Sequence, residues 1–153
     1  MTRLPIVIFA ALFLPGTPAV KQPLIVLPNA HYAVHEQIRA RIENMNDQPI
    51  SICVEYGQWS MKDGKLETTP LPFIVQRKLG SKWSALLIGP DVGSNRHSRV
   101  LDPKESAEFP FRLNDGGDIR LVLEYWPGSK GDWICGPDPK GGKRATSTTF
   151  LVR

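Results

Sequence analysis

Gly117-Asp118-Ile119-Arg120-Leu121-Val122-Leu123-Glu124-Tyr125 is the stretch whose reading decides the fold of this chain. Ile119, Leu121, Leu123 and Tyr125 recur at a period of two on one face. Asp118, Arg120 and Glu124 occupy the other, broken only by Val122. That alternation describes a strand with one face in a core. It is entered through Asn114-Asp115-Gly116-Gly117, residues suited to positive φ and a tight reversal. It leaves through Trp126-Pro127-Gly128 into an arm that ends at Cys135, one of two cysteines in the chain.

Outward from this strand the chain reads as more of the same. Ile38, Ala40 and Ile42 alternate with charged residues, Asn46-Asp47-Gln48-Pro49 turns the chain, and Ile50, Ile52 and Val54 return on one face. Cys53 then points to the opposite face, beside Ser51 and Glu55. Leu24–Leu27 reads as a first edge strand stopped by Pro28. Gly57–Pro72 reads as a long connection with Gly64 at its tip. Phe73–Lys78 and Trp83–Ile88 form a hairpin around a Gly80-Ser81 turn, with Trp83 in the core. Gly89–Arg99 reads as a loop and Val100-Leu101 as a short strand. Phe109, Phe111 and Leu113 point inward, with Pro110 outward on an edge. Ala145–Val152 is one last strand with Thr146, Thr148, Phe150 and Val152 on one face. The 14 prolines and 13 glycines are spread along the chain and argue against long helices. The fold class expected is all-β, an antiparallel β-sandwich of about 7–9 strands.

The length of 153 residues suits one domain. A hydrophobic share of 41% with 22% charged residues excludes wholesale disorder. Residues 1–19 read as a signal peptide. Arg3 supplies the positive start, Ile6–Leu14 the apolar stretch, and Thr17-Pro18-Ala19 the small residues before a cut. The apolar stretch falls far short of the roughly 20 residues of a membrane span. The domain then runs from 20 to 153 in an exported protein, periplasmic or extracellular, with no stable span after cleavage. The expected state is a monomer.

The formal charge of +4 includes Arg3 and is otherwise scattered, apart from Lys140, Lys143 and Arg144 in one glycine-rich loop. A nucleic-acid interface concentrates such charge, so none is expected. Cys53 and Cys135 in an oxidising compartment are most simply a single disulfide, contributing roughly 4–5 kcal/mol through loop closure. A metal site is the alternative, but His31, His35 and His97 do not stand at metal spacing from a cysteine. His31 and His35 read as surface residues. No metal or other cofactor is expected.

No catalytic constellation emerges. There is no Gly-x-Ser-x-Gly turn, phosphate-cradling glycine loop or His-Glu-x-x-His. Asp102, Glu105 and Glu108 would not face one another as a pair. Asn114–Asp118 lacks the further carboxylates of a calcium loop. The chain is therefore read as non-enzymatic. Trp59, Trp126 and Trp133 stand in or beside loops, where aromatic residues bind a sugar face or a protein partner. The competing reading packs them in a loop-side mini-core around the disulfide.

Several pieces taken in order resemble the immunoglobulin-like β-sandwich domains of exported bacterial proteins. They are the turn between Ile42 and Ile50, Phe73–Arg77 with Trp83, Leu101–Ser106 leading to Phe109-Pro110-Phe111, Gly117–Leu121, and Ala145–Val152. The resemblance covers nearly the whole mature chain. It implies a binding module for protein or glycan, or support of an envelope assembly, with contacts on Tyr56–Pro72, Gly89–Arg99 and Trp126–Gly142. One departure is informative. The immunoglobulin disulfide crosses the core between facing sheets, whereas Cys135 follows Tyr125 by ten positions and Cys53 sits on the less apolar face. Such a bond ties the arm to the periphery. A fainter likeness joins Arg120–Pro127 to the strand and Trp-bearing loop of immunoglobulin-like cysteine-protease inhibitors. It makes a secreted or periplasmic protease inhibitor the alternative function, with Asn46–Pro49 a poor match to their second loop.

Overall fold

A computed structural model describes residues 19–62, 65–86 and 96–153, with backbone alone over 56–62 and 65–69. The signal-peptide reading falls on residues outside this description, except for Ala19. Two sheets pack face to face. The smaller contains β1 (Leu24–Val26), β3 (Ile38–Glu43) and β9 (Ser106–Phe111) in the order β1-β3-β9, all antiparallel. As the sequence predicts, β1 and the Pro110-bearing β9 are its edges.

The larger sheet is organised around β10 (Gly117–Pro127). Along one side β10 pairs first with β6 (Phe73–Leu79), then with β4 (Ile50–Lys62). Along the other it pairs with β12 (Phe150–Val152), then β11 (Lys143–Thr146). β5 (Lys65–Leu71) and β8 (Arg96–Leu101) flank β4, β7 (Lys82–Ala85) flanks β6, and β2 (His31–Tyr32) runs parallel to β12. The fold is an all-β sandwich. No helix among the described residues is long and apolar enough to cross a membrane.

The core follows the alternation. Ile119, Leu121, Leu123 and Tyr125 from β10 meet Ile38, Ala40, Ile42, Phe109 and Phe111 from the smaller sheet, with Ile50, Ile52 and Val54 beside them. Burying each aliphatic or aromatic side chain contributes about 1.5–3 kcal/mol. At the entrance to β10, Gly117 takes φ +136°, and a Cβ there would stand 3.1 Å from Cδ of Arg77. A side chain would therefore be strained by its backbone and crowded by the Arg77 stem.

Two polar side chains, Asn44 and Asn46, are buried at the turn after β3. Asn44, at the end of β3, donates from Nδ2 to the carbonyls of Gln48, Leu101 and Asp102, at 3.0, 3.1 and 3.0 Å. Its Oδ1 accepts from the backbone N–H and Nδ2 of Asn46. The amide thus satisfies backbone groups that the turn and the end of β8 leave unpaired.

Four expectations are corrected. The connection read from Gly57 instead holds the end of β4 and all of β5, paired antiparallel past a register shift between Tyr56 and Gln58, while Gly64, read as its tip, lies outside the description. β8 begins at Arg96, within the segment read as loop; residues 87–95 lie outside the description. The last strand is two, interrupted at Ser147: its N–H donates to the Leu121 carbonyl, but its hydroxyl, in place of a backbone carbonyl, accepts from the N–H of Leu121. Ala145 rather than Thr146 is consequently buried. Trp83 lies opposite Lys78 on the outer face of the larger sheet and is half-buried, outside the core.

Candidate functional site

The outer face of the larger sheet, turned away from the core, carries Arg120, Val122, Glu124 and Trp126 from β10. Ser51, Cys53 and Glu55 of β4 and Arg96, Ser98 and Val100 of β8 lie on the same face by register. The arm after β10 folds back over part of it. Ser51 Oγ donates to the Gly128 carbonyl at 2.8 Å and accepts from the Lys130 N–H at 2.7 Å. Ser98 donates from Oγ to the Lys130 carbonyl at 2.6 Å. The carboxylate of Asp132 accepts from the Ser98 N–H at 2.8 Å. A single 3₁₀ turn, Asp132–Cys135, then delivers Cys135 to Cys53, with the two Cα atoms 5.3 Å apart. The disulfide is peripheral, on the face predicted for Cys53.

Beneath the arm lies a small second core. Trp126 is 3% exposed and Ile134 is 1% exposed, and both lie outside the main cluster. Trp126 satisfies its indole by donating from Nε1 to the Lys140 carbonyl at 3.0 Å. Its ring is closed over by Gly142, where a Cβ would come within 2.9 Å of Cε2 and Cζ2. Glycine is needed there for close approach rather than for conformation.

Between arm and sheet remains a cleft of about 330 Å³. Its walls include Ile74, Trp126, Ile134, Pro72, Pro137 and Pro139, with the disulfide in one side. Two ion pairs stand at it, Arg96–Glu55 at 3.1 Å and Arg144–Glu124 at 2.7 Å. The volume suits one or two apolar side chains or a small ligand. Walls of proline and a disulfide-anchored arm lose little freedom on binding, which favours pre-organised recognition.

The three tryptophans offered by sequence have different places. Trp126 is the floor of the arm's core and touches the cleft. Trp133 projects from the 3₁₀ turn and is 54% exposed. Trp59 lies in β4 opposite Thr68, and its side chain falls outside the described residues. Sequence reasoning missed Ile74, Pro72, Pro137 and Pro139, which are brought together only by the arm's return. Among the described residues no group of three or more histidine, cysteine or acidic side chains converges on a possible metal position. No protein-family model matches the chain, and no curated protein matches it either.

Proposed function

We propose that this protein is an exported, non-enzymatic immunoglobulin-like module that binds a protein or glycan through the outer face of its larger sheet. The observation that carries the reading is the arm, held by a disulfide and a set of hydrogen bonds so that a cleft stays open beside it. Trp133 adds a rigid exposed aromatic surface on the same arm, a residue type enriched where partners dock. The disulfide is compatible with an oxidising compartment.

The protease-inhibitor alternative draws no support from the arm. It needs a tryptophan presented at a loop tip, whereas Trp126 is buried and hydrogen-bonded to Lys140. The test is to display immobilised protein to glycan arrays and to a random peptide library, comparing wild type with Trp133→Ala and Ile74→Lys. Retention of a ligand that either change abolishes, with an unaltered unfolding midpoint, is the expected outcome. A ligand retained equally by both variants would remove arm and cleft from the reading.

A further inference from the structure

Past the cleft the same sheet face carries an arginine held as if for use. The guanidinium carbon of Arg120 lies 4.3 Å from the ring centroid of Trp83. Its Nε donates to Oε1 of Gln76 at 2.8 Å, directly across the β10–β6 ladder. Stacking restrains the plane of the group, and the side-on hydrogen bond restrains its rotation. Much of the entropy normally lost when arginine grips a ligand is therefore already spent. What remains is the fork of Nη1 and Nη2, whose spacing matches the two oxygens of a carboxylate.

Among the described residues no carboxylate fills that fork. Asp118 is two residues away on the same face of β10 and makes no ion pair with it. The contrast lies on the same face, where Arg96 is paired with Glu55 and Arg144 with Glu124. Exposed Lys78, on the same face of β6, adds positive charge nearby.

The position relative to the cleft narrows the occupant. Val122 pairs with Ile74 and Arg120 with Gln76, so Arg120 is one step of two residues along the ladder from Ile74. Ile74 is 39% exposed and forms part of the cleft wall. Two residues of extended chain cover about 6.6–6.8 Å. An extended peptide laid along the strands has the same repeat, so side chains at i and i+2 meet both features. The strand-like repeat that separates the two features favours an extended peptide as the occupant.

We propose that the outer face binds an extended acidic peptide segment. An apolar side chain enters the cleft at Ile74, and a Glu or Asp two positions away is held bidentately by Arg120. This assignment rests on the binding reading above and names the partner chemistry for it. Removing the fork should cost about tenfold or more in affinity, the usual range for a charge-assisted hydrogen bond.

The experiment is an NMR titration of isotope-labelled protein with acetyl-Gly-Leu-Ser-Glu-Gly-amide. Its Gln-for-Glu counterpart and trigalacturonate serve as the other arms. The Glu peptide should shift the Trp83 indole N–H, the Gln76 amide group and the Ile74 and Val122 methyls. It should bind about tenfold tighter than the Gln peptide. Arg120→Ala should abolish that difference, and Arg120→Lys should restore only part of it, with the remaining spectrum unchanged. Equal shifts from the Gln peptide, acid preference surviving in Arg120→Ala, or no shifts at millimolar peptide would each overturn the proposal. So would tighter binding of trigalacturonate, which would point to a glycan carboxylate. A ligand from the array or peptide library that ignores Arg120→Ala but is lost in Trp133→Ala would overturn this assignment while leaving the binding reading intact.

Discussion

Replacing both cysteines, Cys53→Ser with Cys135→Ser, should weaken the fold far more than loss of a surface contact would. The cysteines stand 82 positions apart, so the bridge closes a loop spanning most of the described chain. Chain entropy assigns about 4.5 kcal/mol to a loop of that size. The geometry suggests how that loss divides. Residues 128–132 keep their hydrogen bonds to Ser51 and Ser98, whereas the following turn is held by the bridge and by burial of Ile134. Local release of that turn would cost about 1.5–3 kcal/mol of apolar burial, less than global unfolding of a domain this size. The variant should therefore be folded but loosened at the arm, with total stability lower by about 3–5 kcal/mol. Its melting midpoint should fall by roughly 10–20 °C. Urea unfolding followed by far-ultraviolet dichroism and by tryptophan fluorescence is the assay. The denaturant slope should rise, because the unfolded chain is no longer cross-linked. A loss under about 1 kcal/mol with an unchanged slope would refute the loop-closure account.

Three further outcomes follow from named contacts. Trp126→Phe removes the donor to the Lys140 carbonyl and ring volume beneath Gly142, and should cost about 1–3 kcal/mol. Trp133→Ala should stay within about 0.5 kcal/mol of wild type in the same denaturation assay. Asn44→Ala strips three carbonyls and two donors of one shared partner, and should cost about 2–4 kcal/mol by chemical denaturation. Burial raises the Tyr125 hydroxyl above its usual value of 10.0. The folded state thus keeps a proton that the unfolded state releases, so its contribution is full below pH 10 and is lost as pH rises through the folded value. Ultraviolet titration should show Tyr125 ionising above the usual tyrosine range, together with falling stability.

Much of the sandwich was legible because burial on one face imposes a period of two. Ile119 to Tyr125, Ile38 to Ile42 and Ile50 to Val54 all show it, and their faces were read correctly. Alternation fails where the backbone steps out of register. The shift at Tyr56/Gln58 reverses parity along the β4–β5 hairpin, so the paired strands passed as a connection. Ser147 reverses parity in the same way between Ala145 and Phe150. Trp83 could have been placed from sequence. A two-residue turn at Gly80-Ser81 sets Trp83 opposite Lys78, and Lys78 shares a face with Ile74 and Gln76, not with Phe73 and Val75. The cleft was not legible at all. Pro72, Ile74, Pro137 and Pro139 converge only when the arm returns, and no local pattern records a return made by hydrogen bonds to Ser51 and Ser98.

The bond from the Ser98 N–H to Asp132 has a consequence for how molecules of this protein meet one another. Among the described residues β8 pairs with β4 on one side alone, which leaves backbone donors and acceptors on its other side, the kind of edge a second chain can recruit. Asp132 occupies a donor in that row with a negative charge, which an incoming strand would have to displace. The bonds of Gly128 and Lys130 to Ser51 and Ser98 hold the carboxylate in place. The arm therefore does more than frame the cleft: it sets a charge on the open edge of β8, a feature that discourages pairing with the edge of a second chain.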